Sequence, residues 1–164
     1  MNILTKYGSV LSCVFLLAAC ETPGSDDASS DAGAGLGNET INNVDKGLVN
    51  DFAENVGDRV FYALDSSVVN SEGKATLERQ AAWLNQHADI NIVVEGHCDE
   101  RGTREYNLAL GERRANAAKN ILVAAGVNAS RITIISYGKE RPAAIGSDEG
   151  SWGQNRRAVT VLAK

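Results

Sequence analysis

Gly96-His97-Cys98-Asp99-Glu100-Arg101-Gly102-Thr103, continuing through Tyr106-Asn107-Leu108-Ala109-Leu110-Gly111-Glu112-Arg113-Arg114-Ala115, joins two segments of different periodicity. Just before it, Ile90-Asn91-Ile92-Val93-Val94 reads as a buried strand. After it, residues 103–125 repeat their apolar positions at helical spacing. Asp99 therefore stands on a strand-to-helix turn. In an open α/β sheet such turns lie in the crevice outside the carboxyl ends of the strands, where ligands bind.

At helical spacing Leu110, Ala117 and Ile121 form the expected inward stripe, with Tyr106, Ala124 and Ala125 on its flanks. Arg114 and Asn107 then fall on one shoulder of that stripe. An arginine at the edge of a buried face needs a partner. Either Asp99 and Arg114 pair internally while Asn107 caps backbone, or the two charges face a ligand. Arg113, on the other shoulder, reads as solvated or paired with Glu112 or Asp99.

Working outward, the pattern gives a strand at 59–63, then a helix at 72–87 with Leu77, Ala81 and Leu84 inward. The central strand and helix follow, the helix stopped by Gly126. A strand at 132–136 precedes a loop containing Gly138, Pro142, Gly146, Gly150 and Gly153, and a last strand covers 158–162. The order is β-α-β-α-β-β, an α/β domain over 46–164. Its two crossovers predict parallel neighbours, and the long last loop permits an edge or antiparallel final strand. The expected sheet is mixed and mostly parallel, with helices on one face. Residues 44–56 are weakly amphipathic and can add a short helix before the first strand.

Charge divides the chain unevenly. Six acids and no base lie between Glu21 and Asp45, whereas 46–164 carries 15 acids and 15 bases. A neutral domain offers no electrostatic footprint for nucleic acid, and the pairs Arg113-Arg114 and Arg156-Arg157 are too few for a basic patch. The Ser-, Gly-, Ala- and Asp-rich stretch from Glu21 to Asp45 reads as a disordered tether. Such a coil would span roughly 25 to 30 Å on average and at most about 80 to 90 Å when straight.

At the amino terminus Lys6, an apolar run over 10–17 and Leu17-Ala18-Ala19-Cys20 have the architecture of a signal peptide over 1–19. The apolar run is too short to span a bilayer. The tetrapeptide resembles the lipobox of bacterial lipoproteins, which implies acylation of Cys20 and its exposure as the first residue after cleavage. Cys13 would leave with the signal, so Cys98 is left alone and no intramolecular disulfide is expected.

The residue types at the turn raise two other chemistries. A Cys98 nucleophile activated by His97 meets poor geometry, because sequence neighbours at a strand end point to opposite faces, and no further histidine completes a triad. A metal held by His97, Asp99, Glu100 and His87 is disfavoured because His87 precedes the strand and no Cys-x-x-Cys or His-Glu-x-x-His spacing exists. His97 reads as a packed or capping residue.

The stretch resembles the peptidoglycan-binding domain shared by outer-membrane protein A, flagellar stator proteins and the peptidoglycan-associated (Pal) lipoproteins, the last most of all. Three segments carry the resemblance: Phe61-Tyr62-Ala63-Leu64-Asp65-Ser66-Ser67, the run from Glu95 to Ala115, and Ser136-Tyr137-Gly138-Lys139-Glu140-Arg141-Pro142 followed by Asn155-Arg156-Arg157-Ala158-Val159. Many relatives have Thr where this chain has Cys98; the Cys form is common in the lipoprotein branch.

The resemblance implies that Asp99 and Arg114 hold the diaminopimelate side chain of a peptidoglycan stem peptide. The free end of that residue carries an ammonium and a carboxylate on one carbon, which a carboxylate and a guanidinium complement. Arg114 would grip the carboxylate with two parallel hydrogen bonds, and replacing Asp99 or Arg114 with Ala would weaken wall binding with the fold intact. The resemblance adds Asp65, Ser66, Thr103, Asn107 and Leu110 as contacts and sets Arg156 near the turn. It further implies an outer-membrane lipoprotein, favoured by Glu rather than Asp at position 21, that is not an enzyme and needs no cofactor. Its partners would be peptidoglycan, the membrane and a TolB-like propeller protein of a Tol-Pal system. The competing class is a periplasmic wall hydrolase or thiol enzyme using Cys98 and His97.

Overall fold

Helix starts in this chain are set by short polar side chains. Asn70 Oδ1 accepts from the Gly73 amide at 2.7 Å and opens the helix Ser71–Gln86, while Thr103 Oγ1 accepts from the Tyr106 amide at 3.2 Å and opens the helix Arg104–Ala124. The computed structural model describes residues 44–163. The signal peptide, Cys20 and nearly all of the tether lie outside the described residues.

The elements run α1 (Lys46–Asp51), a π-type turn (Phe52–Gly57), β1 (Arg59–Phe61), α2 (Ser71–Gln86), β2 (Asn91–His97) and α3 (Arg104–Ala124). They continue through a 3-10 turn (Ala129–Arg131), β3 (Ile132–Gly138), α4 (Glu149–Asn155) and β4 (Arg157–Ala163). Gly126, at φ +99°, closes α3 in the left-handed conformation that glycine adopts without strain.

The sheet order is β1-β4-β2-β3. Strands β1, β2 and β3 run in one direction, and β4 is inserted antiparallel between β1 and β2. Only β2 and β3 are hydrogen-bonded as a parallel pair. The expected antiparallel last strand is present, but it is interior rather than at an edge. Its run Arg157–Ala163 is buried or half-buried throughout, so the slot left between β1 and β2 hides apolar surface that an edge would expose.

Both long helices cover one face. Leu77, Ala81 and Leu84 of α2 meet Ile92 and Val94 of β2 and Ala115, Ala118 and Leu122 of α3 in one core. The buried residues of α3 are Asn107, Leu110, Gly111, Arg114, Ala115, Ala118 and Leu122, so its inward face is turned from the expected one. Ala117 and Ile121 are half-buried, Tyr106 and Ala124 exposed. The cause is a backbone contact between Gly111 and Gly96: a Cβ on Gly111 would stand 2.9 Å from the Gly96 carbonyl oxygen. Two glycines let α3 settle onto β2 there, which centres Arg114 in the buried face instead of on its shoulder.

Candidate functional site

Arg114 is 1% exposed. Its Nε donates to the Ser66 carbonyl at 2.8 Å, Nη1 to the His97 carbonyl at 2.8 Å and to Cys98 Sγ at 3.3 Å, and Nη2 to the Ala63 carbonyl at 3.2 Å. The guanidinium also lies 5.2 Å from the Tyr62 ring, whose hydroxyl donates to the Arg114 carbonyl at 2.9 Å. Burial pulls its pKa down from the ordinary arginine value. A guanidinium has five N–H groups, and four are committed here, leaving one on Nη2. Asp99 is therefore not its hydrogen-bonding partner, and a two-bond grip on an incoming carboxylate would require Arg114 to give up an internal acceptor.

Asp99 has its own partners. Oδ1 accepts from the backbone amide and Nε of Arg101, both at 3.2 Å. Oδ2 accepts from Arg101 Nη2 at 2.6 Å and from Arg156 Nη1 at 3.3 Å. Burial disfavours the charged carboxylate, but these hydrogen bonds outweigh it and hold the carboxyl below its usual range. Arg156 is itself buried, donating from Nε to the Tyr62 carbonyl at 3.1 Å and from Nη2 to Glu149 at 2.6 Å.

The turn that presents Asp99 is tied by its carbonyls. Asn107 Nδ2 donates to the Arg101 and Thr103 carbonyls at 2.7 and 3.0 Å. Lys139 Nζ donates to those of Glu100 and Gly102 at 3.1 and 2.7 Å. Gly102, at φ +88°, makes the bend that turns these groups inward.

Between this turn, the segment after β1 and the start of α3 lies a crevice of about 210 Å³. Asp99, Arg101 and Arg114 give it charge, while Leu64, Leu110 and the Tyr106 ring give it an apolar side. Asp65 sits at φ +52°, and its carboxylate accepts from the Tyr106 hydroxyl.

Residues 61–156 match the OmpA family model. The chain is 50% identical over 162 residues to the peptidoglycan-associated lipoprotein of Mesorhizobium japonicum, covering 97% of this chain and 94% of that one. It is 39% identical to the one of Pasteurella multocida, covering 97% and 98%. The chain belongs to the peptidoglycan-associated lipoproteins of the OmpA family. The crystal structure of the peptidoglycan-associated lipoprotein from Burkholderia pseudomallei superposes with a TM-score of 0.65 at 40% identity, covering 69% of this chain and 98% of that one. The C-terminal domain of Helicobacter pylori MotB, at 23% identity and a TM-score of 0.60, shares the fold, covering 64% and 82%.

Among the residues singled out in the sequence, Asp65, Asp99, Asn107, Leu110 and Arg114 line the crevice. Thr103, Ser66 and Arg156 do not line it. Thr103 caps α3, Ser66 offers its carbonyl to Arg114, and Arg156 stands behind Asp99. Sequence reasoning missed Arg101, Leu64 and helix α4. Glycines at 150 and 153 hid that helix, although Asp148 accepts from the Ser151 amide at 3.0 Å and opens it as an N-cap. Trp152 on α4 donates to Glu100 Oε1 at 3.0 Å, and the Arg101 guanidinium stacks 3.9 Å from the Trp152 ring centre.

Cys98 is buried, and its thiol donates to the Asn107 carbonyl at 3.3 Å. Burial pushes its pKa up, against the pull of Arg114. The His97 ring packs near Tyr137, 5.5 Å between centroids.

Proposed function

We propose that this chain is an outer-membrane lipoprotein, acylated at Cys20, whose domain holds the cell wall non-covalently by taking the diaminopimelate side chain of a peptidoglycan stem peptide into the crevice. One observation carries the reading: a buried carboxylate and a buried guanidinium with a spare N–H line one crevice of about 210 Å³. That space suits the head of one amino acid, and its charges match an ammonium and a carboxylate borne on a single carbon. The apolar wall of Leu64, Leu110 and Tyr106 would take the methylene chain.

Holding requires no catalysis, and the geometry disfavours a thiol enzyme. Cys98 keeps its proton through burial, and its hydrogen-bonding partners are Asn107 and Arg114 rather than a base. Membership in a Tol-Pal system, with a role in cell division and outer-membrane integrity, follows from the family reading. A TolB-like propeller partner would share the crevice rim, where Leu64 and Tyr106 are 58% and 45% exposed.

The test is co-sedimentation of the full chain in detergent with insoluble diaminopimelate-type peptidoglycan. Wild type is expected in the pellet and folded Asp99→Asn in the supernatant. Wild type remaining in the supernatant would refute the wall-binding reading.

A further inference from the structure

The Asp99 carboxylate, the buried acid of the crevice and the one that the wall-binding reading assigns to a ligand ammonium, already has two donors on each oxygen, whereas Asp65 at the rim is exposed. A ligand cation must therefore displace one of them. The two arginines are not equally held. Arg156 has a side-chain exposure of 9% and is also anchored on the Tyr62 carbonyl, whereas Arg101 is 34% exposed and has no backbone acceptor for its side chain among the described residues. Arg101 is the partner that yields.

Displacing a guanidinium from a half-enclosed site is unfavourable unless another anion receives it. Glu149, at the start of α4, already stands with Oε2 4.0 Å from Arg101 Nη1; its Oε1 accepts from Arg156 Nη2 at 2.6 Å, and its side chain is 67% exposed, so Oε2 is the oxygen open to Arg101. The Trp152 ring beneath Arg101 lies on the same helix and is pinned by its hydrogen bond to Glu100. Two acids, Asp99 and Glu149, thus share two bases, Arg101 and Arg156. A ligand ammonium seated on Asp99 would stand beside both guanidinium groups and repel them. That repulsion is least when Arg101, the more exposed of the two, moves toward Glu149 and solvent.

We infer that Arg101 is an exchangeable occupant of the Asp99 site, and that Glu149 is the acceptor to which it transfers when a ligand ammonium takes its place. Glu149 is then a positioning residue that acts through Arg101 without touching the ligand. The inference rests on the wall-binding reading and adds the route by which the site opens.

A double-mutant cycle on the full chain, titrated with a soluble muropeptide bearing meso-diaminopimelate, tests it. Glu149→Gln keeps the side-chain shape and removes the receiving charge, so it is expected to weaken binding about tenfold, the equivalent of one charge-assisted hydrogen bond. In an Arg101→Gln background nothing needs receiving, and the same substitution should change affinity by less than about twofold. Equal weakening in both backgrounds would mean that Glu149 acts through Arg156 alone and would overturn the exchange. An unchanged affinity for Glu149→Gln in the wild-type background would overturn it as well. Failure of wild type to bind the muropeptide would instead remove the wall-binding reading and the exchange together.

Discussion

Two glycines decide where the charged residues stand. Gly96 and Gly111 let strand and helix backbones touch, and without that contact Arg114 could not reach the carbonyls of Ala63, Ser66 and His97 at once. Gly96→Ala is expected to destabilise the domain by about 3 kcal/mol in urea unfolding, because its Cβ would press on the Gly111 carbonyl, where neither backbone can give. Arg114→Ala is likewise no clean probe of binding: it strands three carbonyl acceptors and should cost about 3 kcal/mol, which the same unfolding measurement reads. His97 carries a pH signature. Its ring is 2% exposed, Nδ1 has no hydrogen-bond partner, and Nε2 faces Glu95 at 3.4 Å outside hydrogen-bond geometry. Burial lowers its pKa, with nearby Glu95 only partly offsetting that. The unfolded chain thus takes up a proton near pH 6.5 that the folded chain refuses. Its contribution to stability is present above about pH 6.5 and is lost progressively below it. Unfolding free energies should be level from pH 8 to about pH 6.5 and fall from there toward pH 5, and His97→Gln should flatten that fall. Asp99 was legible because a strand-to-helix turn is a local signal. Arg101 was not, because nothing local says that a side chain two residues along folds back onto the same carboxylate.

At the scale of elements, the sequence pattern located every strand and both long helices within a few residues, since each has a periodicity of its own. The rotation of α3 escaped it. Alanines at 115, 117, 118, 124 and 125 supply small apolar positions around much of the helix, so the true face is chosen by the Gly96–Gly111 contact with β2. The interior place of β4 escaped it as well, because pairing between non-consecutive strands is a property of the whole sheet. Helix α4 was read as loop, yet it carries Glu149 and Trp152 beside the crevice and ends in Asn155. That buried side chain accepts from the amides of Ala143 and Ala144 at 2.7 and 3.0 Å and donates to the Ala144 carbonyl at 2.8 Å. It holds the segment between β3 and α4. Asn155→Ala should cost about 2 kcal/mol through three lost hydrogen bonds and should speed hydrogen exchange at the Ala143 and Ala144 amides specifically. Uniform acceleration across the domain would show instead that the residue serves global stability alone.

Taken whole, the molecule combines a charge-neutral domain over 46–164 with an acidic amino-terminal stretch over 21–45. The crevice lies at one end of the sheet, where β2 gives way to the Asp99 turn and the β1-to-α2 segment supplies Leu64 and Asp65. On the wall-binding reading such a site would take one side chain of the wall polymer, and its selectivity should lie in the two charges at the far end of that side chain. The most direct measurement is isothermal titration of the full chain with two muropeptides that differ only at the third stem residue, meso-diaminopimelate in one and lysine in the other. Lysine keeps the ammonium and lacks the neighbouring carboxylate. The wall-binding account predicts saturable binding of the diaminopimelate form and at least about tenfold weaker binding of the lysine form, the loss of one charge-assisted interaction. Equal affinity for the two, or no binding of the diaminopimelate form, would contradict it.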